Sequence, residues 1–228
     1  MSISFDQTIT QNFAEATRRE WLETNGLGGW ASSTIIGAHT RRYHGLLVAA
    51  THPPVGRMVL LSKLDETIVR DNQRFELGCN RYPGAVHPRG YVYLQSFSKD
   101  LFPVFEYEAG GVQIRKTIAA VNGENTTIIL YEVPEAPTPF VFELRPFVAF
   151  RDYHSLAHAN EAIRREAQFE GGVLRMQPYD GVPELFIAIP GAAFAAQSDW
   201  YRNFEYSLEQ YRGLDDHAQI FSRTAFSS

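Results

Sequence analysis

Paired turn residues divide the sequence into short apolar segments, and this division constrains the fold more than any other feature. Gly-Gly at residues 110–111 and 171–172 and Asn-Gly at residues 122–123 each stand between two apolar segments, as in two-residue β-hairpin turns. About a dozen such segments follow one another at a spacing of roughly 8–12 residues. The pattern predicts an all-β fold, a large antiparallel β-sandwich with few short helices.

One of these segments is apolar on both faces. In TTIILYEV, Ile128 and Leu130 alternate with Ile129 and Tyr131. Strands that are apolar on both faces are typical of positions covered on both sides. We therefore predict a central strand here.

Helical signals are few. Residues 155–168 contain good helix formers, but their apolar stripe is thin, so a helix and an ordered loop both remain open. Near the C-terminus, Leu208 and Tyr211 stand at helical spacing and Gly213 is placed as a helix C-cap. That segment predicts either a short helix or the start of a linker.

Charge and cysteine usage exclude several classes of protein. The formal net charge is −5 and basic residues occur in pairs at most, so we expect no nucleic-acid binding through a broad basic face. The N-terminus lacks the features of a secretory signal, and no apolar stretch is long enough to span a bilayer. Cys79 is the only cysteine, which fits a reducing compartment. We expect a cytoplasmic protein that contacts no membrane.

The segment from residue 24 to 48 carries the densest chemistry, and a phosphate loop, a sugar pocket and a plain β-hairpin are its three interpretations. Gly26 and Gly28 fit the first positions of a dinucleotide-binding motif, but Ala31 stands at the third and no helix-forming sequence follows. A Walker loop would need a Gly-Lys pair, which is missing. A glycine-rich turn between strands is the structural interpretation, and shaping of a pocket rim beside Asn25 is the functional one.

Arg41, Arg42, Tyr43 and His44 follow the glycines. In a strand, alternate members of this group would point to opposite faces. Guanidinium forks and rings with polar tips suit a hydroxyl-rich ligand such as a sugar. The structural alternative is an arginine–carboxylate pair together with a histidine satisfied inside the core.

A second polar group contains Arg151, Asp152 and His154. His154 and His158 are four residues apart, but the Glu of the metalloprotease motif is missing between them. We expect these side chains to anchor a loop or line a site, and we expect no bound metal ion and no cofactor.

Three long segments resemble a known family. They are REWLETNGLGGWASSTIIGAHTRRYHGLLVAATHPPVGRMVLLSKLDETI, FRDYHSLAHAN and WYRNFEYSLEQYRGLD, and they are similar to the N-terminal domain of bacterial and archaeal glycogen debranching enzymes. The resemblance implies a β-supersandwich like the one that precedes the catalytic domain of bacterial glucoamylases. It implies an amylo-α-1,6-glucosidase activity for the whole protein, with the catalytic carboxylates in a separate helical-barrel domain.

The resemblance also implies a division of the chain. Residues 1–212 would form the β-sandwich, and residues 213–228 would begin a linker toward the catalytic barrel. We therefore expect no catalytic residue in this chain. A purely structural module, or a separate subunit that binds no sugar, is the alternative.

The resemblance assigns a set of residues to substrate binding or to the interface with the barrel. They are Asn25, Gly26, Gly28, Arg41, Arg42, Tyr43, His44, Arg151, Asp152 and His154. The implied partners are an α-glucan, such as glycogen or a limit dextrin, and the catalytic barrel. Apolar surface meant for the barrel would also favour a homodimer through the exposed interface.

Overall fold

Antiparallel strands dominate the structure, a computed structural model that describes residues 2–53 and 55–227. Met1, Pro54 and Ser228 lie outside the described residues. The strands are β1 (Ile3–Phe5), β2 (Glu20–Thr24), β3 (Trp30–Thr34), β4 (Gly45–His52), β5 (Gly56–Arg70), β6 (Gln73–Glu76), β7 (Cys79–Tyr82), β8 (Ala85–Arg89), β9 (Leu94–Lys99), β10 (Pro103–Ala109), β11 (Val112–Ala120), β12 (Thr127–Glu135), β13 (Val141–Asp152), β14 (Gln168–Glu170), β15 (Val173–Met176), β16 (Leu185–Ala188), β17 (Ala193–Glu205) and β18 (His217–Ser227).

The helices are short. They are α1 (Gln7–Thr10), α2 (Phe13–Ala16) and α3 (Ser207–Tyr211), with a 3-10 turn at Gly90–Tyr93. In the described ranges no helix has the length and apolar character of a membrane span.

Two antiparallel sheets form the layers of a sandwich. One has five strands in the order β1-β9-β10-β11-β12, and the other has eight, in the order β17-β18-β13-β5-β4-β3-β2 with β6 paired to β5. A three-stranded sheet, β14-β15-β16, and a two-stranded sheet, β7-β8, complete the fold. The prediction of an all-β antiparallel sandwich is confirmed.

The hairpin turns lie where the sequence predicts them. Gly110 and Gly111 join β10 to β11 with φ angles of +59° and +78°. Positive φ at both central residues gives a turn whose twist matches that of the paired strands, and glycine adopts it without a steric cost. Residues 122–123 and 171–172 lie likewise in the β11–β12 and β14–β15 connections.

Aromatic side chains fill the space between the layers. Phe105 of the five-stranded sheet meets Trp21 of the eight-stranded sheet edge-on, with ring centroids 6.1 Å apart. Tyr131 and Phe142 make a similar contact across the layers at 5.0 Å. These rings belong to one continuous core cluster, and their burial is the main force that holds the layers together.

The prediction of a central, doubly covered strand at residues 126–133 is wrong. In the structure this segment forms β12, the edge strand of the five-stranded sheet. Ile129 and Tyr131 pack against the core, whereas Ile128 and Leu130 on the other face are 55% and 52% exposed. Apolar residues on both faces do not reveal which neighbours a strand has, and here one face has no cover.

In the C-terminal third, the structure decides between helix and loop for two segments. Residues 155–167 form a loop without regular structure, fixed by backbone hydrogen bonds such as Arg164 N to Pro178 O (2.8 Å). The short helix α3 forms, and Gly213 follows it with a φ of +70°.

The structure also differs from the predicted linker over residues 213–228. Residues 217–227 form β18, which pairs with β13 on one side and β17 on the other. Because β18 bonds to strands on both sides, it belongs to the eight-stranded sheet. A catalytic domain beyond the sandwich stays a prediction.

Charged side chains are buried where the layers meet. Lys116 of β11 lies 2.5 Å from the Glu66 carboxylate of β5, and the Tyr131 hydroxyl donates to the same oxygen at 2.5 Å. Lys116 and Glu66 are 7% and 3% exposed. The three side chains therefore depend on one another, because a charge removed from water needs a partner.

Replacement of Glu66 by alanine tests this dependence. Glu66→Ala leaves the Lys116 ammonium buried without its counter-ion, so we expect a loss of about 3–5 kcal/mol in the free energy of unfolding. Glu106→Ala, which breaks the exposed pair with Arg115, should cost about 1 kcal/mol or less. Urea unfolding of both variants measures the difference, and equal losses would contradict the interpretation.

Candidate functional site

The predicted site residues gather at one end of the eight-stranded sheet. They lie in the loop between β2 and β3, in the turn before β4 and in the last residues of β13 and the turn that follows it. Arg151 bonds to Arg42 and Tyr43 contacts His154, which joins the last two segments. Arg57 links the first segment to them, since it bonds to the Gly28 carbonyl and lies 5.6 Å from the Tyr153 ring centroid. The fold therefore brings together residues more than a hundred positions apart in sequence.

Asn25 fixes the glycine loop. Its Oδ1 accepts from the backbone N–H groups of Leu27 (3.0 Å) and Gly29 (2.9 Å), and its Nδ2 donates to the carbonyl of Glu124 (2.8 Å) in the β11–β12 connection. The residue is 3% exposed. Its amide is therefore fully engaged in positioning the loop.

The loop itself turns outward. Gly26 and Gly28 have φ angles of +77° and +93°, which side-chain-bearing residues rarely adopt. Both glycines are exposed, and the Gly28 carbonyl accepts from Arg57 Nε at 2.5 Å. The structure thus confirms a glycine-rich turn between strands.

Residues 41–44 form a turn, whereas the sequence analysis considers them in a strand. β4 begins only at Gly45, and the His44 N–H donates to the Arg41 carbonyl at 3.2 Å. The expected alternation of side chains between two faces does not occur, because a turn has no such period.

His44 is held inside the sheet by two contacts. Its Nδ1 accepts from Thr40 N at 3.2 Å, and its Nε2 lies 3.3 Å from Glu20 Oε1. Burial lowers the pKa of His44, so the neutral ring with its proton on Nε2 fits both contacts. Burial acts to raise the pKa of Glu20, but hydrogen bonds from His44 and Arg41 lower it to about 2. Arg41 Nε lies 2.8 Å from Glu20 Oε1. This arginine–carboxylate pair and the buried His44 agree with the structural alternative to a sugar pocket.

Arg42 joins three segments. Its Nη1 donates to the His154 carbonyl (2.7 Å) and its Nη2 to the Asp215 carbonyl (2.9 Å). The side chain of Glu209 in α3 is fully buried. Its Oε1 accepts from the Arg42 backbone N–H, and its Oε2 lies 3.3 Å from Arg42 Nε. Sequence reasoning missed Glu209, since one carboxylate in a short helix carries no signal of its partner.

Arg151 is engaged in the same way. Its Nη2 donates to the Arg42 carbonyl (2.6 Å) and its Nη1 to the Ser155 carbonyl (2.7 Å). Asp152 accepts from the His154 N–H at 2.8 Å. Burial lowers the pKa of the Arg151 guanidinium, but arginine starts from so high a pKa that the group stays charged at neutral pH.

Four rings lie together beside the glycine loop, and we name Trp30, Tyr43, Tyr153 and His154 the aromatic face. Tyr153 has its centroid 5.8 Å from Trp30, 5.9 Å from Tyr43 and 3.9 Å from His154. The Tyr43 hydroxyl lies 3.2 Å from His154 Nδ1. The first three rings are half-buried and His154 is exposed, so solvent reaches a continuous aromatic surface.

Arg57 of β5 supports this surface. Its guanidinium lies 5.7 Å from the Trp30 ring centroid and 5.6 Å from that of Tyr153, within cation–π range. Sequence reasoning missed Arg57, Trp30 and Tyr153. Trp30 directly follows the glycines, and Tyr153 lies between two of the predicted residues. Proximity in sequence to the predicted residues is therefore the signal that points to Trp30 and Tyr153.

The two histidines that are four residues apart have different partners. His154 contacts Tyr43, and His158 Nε2 lies 3.8 Å from Asp215 Oδ2. The segment is a loop, so the two histidines do not lie on one face of a helix, as a metal site of the metalloprotease kind would need.

Comparison with known proteins identifies one family. The sequence matches the family described as "Glycogen debranching enzyme N terminal" over residues 19–228, nearly the whole chain. This range contains the glycine loop, the aromatic face and α3. A search of curated proteins finds no match.

Two buried histidines in the β3–β4 connection predict how stability depends on pH. Burial lowers the pKa of His39 well below 6.5 and also lowers that of His44, so the folded state binds their protons less readily than the unfolded chain does. The unfolded chain takes up these protons below about pH 6.5. Stability should be fully present above that pH and fall on acidification, by at most about 1.4 kcal/mol per pH unit for each histidine and only until its pKa in the folded state is reached.

Comparison of two histidine variants isolates this effect. In His39→Phe the slope of unfolding free energy against pH should decrease by one histidine's share between about pH 6.5 and 5. The matched control is His87→Asn, which replaces a histidine whose side chain is 73% exposed. Urea titrations at several pH values measure the slopes, and an unchanged slope in His39→Phe would disprove the assignment.

Proposed function

Since the chain belongs to the family of glycogen debranching enzyme N-terminal domains, we propose that it supports a catalytic domain and binds α-glucan through the aromatic face. In this proposal the hydrolysis of the α-1,6 bond belongs to that catalytic domain, and the sandwich holds the glucan beside it. Location in the cytoplasm stays a prediction from the sequence.

The observation that carries the proposal is the half-exposed aromatic face beside an exposed glycine loop. Glucose rings have an apolar C–H face and a rim of hydroxyl groups, so they stack on flat aromatic rings and bond to polar atoms around them. Tyr43 and His154 supply polar atoms at the edge of the rings, and such amphipathic rings suit a ligand of this kind.

The polar residues of the site supply rigidity. The side-chain amide and guanidinium groups of Asn25, Arg42 and Arg151 bond to backbone carbonyls of the chain itself. Side chains held in this way keep the loop and the aromatic face in one arrangement. A surface that is ordered before binding loses less entropy when the ligand arrives.

Exposed leucines near the same loop support the docking of a second domain. Leu22 of β2 and Leu27 of the glycine loop are 52% and 38% exposed. Exposed apolar groups that lie together are typical of interfaces. We propose that the catalytic domain covers these leucines, which would place its active site beside the aromatic face.

A purely structural module is the second candidate. It is favoured by the number of internal partners that the predicted arginines have, because a guanidinium that already bonds to carbonyls has fewer donors left for a ligand. The two candidates differ in one measurable property, which is the binding of glucan by the isolated chain.

Calorimetric titration with maltoheptaose tests glucan binding. Tyr43→Ala removes a ring from the aromatic face and should weaken binding about fivefold or more, as the loss of one aromatic contact implies. Tyr43→Phe keeps the ring and loses only the hydroxyl, so its affinity should stay within about twofold of the unmodified chain.

Phe102→Ala is the matched control. Phe102 is an exposed aromatic residue in the turn between β9 and β10 of the five-stranded sheet, and it is not one of the four rings of the aromatic face. Its removal should leave the affinity unchanged. No heat of binding with any of the four proteins would refute the glucan proposal and leave the structural module, whereas equal weakening by Tyr43→Ala and Phe102→Ala would refute the assigned surface.

A further inference from the structure

An open groove separates two strand edges on the side of the sandwich that carries the five-stranded sheet. Its volume is about 990 Å³, at the upper end of the range for ligand pockets. β12 forms one wall, β16 and the loop before it form the other, and β4 and β5 provide the floor. No residue of the aromatic face lines it.

The lining of the groove is apolar. Leu47, Ala49, Leu60 and Leu61 lie on the floor, with Ile129 and Ile187 on the walls. Glu184 is its single acidic residue and the lining contains no lysine or arginine. A charged ligand would lose its hydration here without gaining a partner, so the groove suits an uncharged occupant.

The backbone of β12 presents unpaired groups toward the open side. The hydrogen bond from Val121 N to Thr126 O (2.9 Å) fixes which residue pairs of the β11–β12 ladder are bonded. Bonded and non-bonded pairs alternate in an antiparallel ladder. The N–H and C=O groups of Thr127, Ile129 and Tyr131 therefore point away from β11.

The same reasoning applies to β16. Ile189 N donates to Gly172 O at 2.8 Å, which fixes the alternation along β15 and β16. The N–H and C=O groups of Phe186 and Ala188 therefore point away from β15. In the described part of the chain no strand pairs with this edge of β16 or with the open edge of β12.

The stretches of both edges that line the groove lack the usual protection against pairing, although β12 continues beyond the groove with Glu132, Pro134 and Glu135. Natural edge strands are commonly blocked by charged residues, proline or a covering segment. Residues 126–131 (TTIILY) and 185–188 (LFIA) contain no charge and no proline. Two unblocked edges on one apolar groove are the arrangement that accepts an added strand.

We propose that this groove binds one extended peptide segment of a partner protein, inserted as a strand between β12 and β16. Alternate apolar side chains of the segment lie on the floor formed by β4 and β5, and its backbone pairs with the open edges. A single extended strand has hydrogen-bonding groups on both of its edges and can pair with β12 and β16 at once, whereas the edge strand of a folded sheet has only one free edge. The inference goes beyond the proposed glucan binding and does not depend on it.

Binding of a designed peptide tests the proposal. The probe is a fluorescein-labelled nine-residue peptide of alternating valine and threonine, which matches β12 in length. Its control is the same peptide with N-methyl groups on alternate residues, which removes donors while the side chains stay the same. Fluorescence anisotropy should show saturable binding of the first peptide and binding about tenfold weaker for the second, as the loss of an interstrand hydrogen bond implies.

A pair of variants at Ala188 locates the binding site. Ala188 is exposed, and its N–H points into the groove. Ala188→Pro removes that donor at an edge position where proline is tolerated, and should weaken the peptide about tenfold. Ala188→Thr keeps the donor and a strand-compatible residue, so it should bind as the unmodified chain does.

Several results would overturn the proposal. They are equal binding of the two peptides, no saturable binding up to about 1 mM, equal affinity in the proline and threonine variants, or a concentration-dependent dimer that Ala188→Pro abolishes. Thermal unfolding checks that both variants fold. If the proline variant does not fold, amide shifts of the unmodified chain decide: the peptide must shift the resonances of Thr127, Ile129 or Phe186.

Discussion

The side chain of Asn125 joins the two sheets at the point where the glycine loop and the groove meet. Its amide makes the two hydrogen bonds that a residue of a neighbouring strand would make: Oδ1 accepts from Ala50 N at 2.8 Å, and Nδ2 donates to Ala50 O at 3.0 Å. The same Oδ1 also lies 3.2 Å from the amide nitrogen of Asn25. One residue of the β11–β12 connection thus ties the five-stranded sheet to β4 and to the glycine loop. Backbone groups near a strand end otherwise need water or a further strand, and these bonds satisfy those of Ala50 at the end of the groove that Asn125 and Ala50 line.

The chemistry available at the candidate site follows from the way its polar groups are used. Arg42 and Arg151 bond to backbone carbonyls, and Glu209 accepts from Arg42. The residues that look most like a binding site in the sequence therefore form the frame, and the aromatic rings that the frame supports remain partly free. A guanidinium buried among carbonyls orders a loop more effectively than it binds a mobile ligand, since its donors are already occupied and already desolvated. The glucan binding proposed for this end of the sheet consequently rests on ring faces.

The sequence predicts the local features well and the long-range ones less well. Hairpin turns such as Gly110-Gly111 are encoded within a few residues, because positive φ angles restrict the choice of residue. The antiparallel sandwich follows from such turns, but the prediction of about a dozen strands falls short of the eighteen that the described residues form. The neighbours of a strand are set by contacts between residues that are far apart in sequence. The apolar pattern of β12 therefore predicts a central strand, although β12 lies at an edge of its sheet. The same limit explains the site: its predicted residues do lie together, but Glu209 and Arg57 complete it from distant elements that no local pattern connects to it.

An exposed uncharged edge is costly for a protein to keep. Edge strands without charge or proline invite pairing with other chains, and a sandwich can avoid this by continuing its sheet or by placing a lysine on the edge. Here the charged residues of β12 come only at its end, with Glu132 and Glu135, beyond the stretch that lines the groove. The opposite wall, β16, is equally uncharged. Two unpaired edges on one groove favour a single strand over the edge of a folded sheet, because a single strand can pair on both sides and an edge strand on only one. The proposed peptide would therefore satisfy the backbone groups of both edges in one binding event.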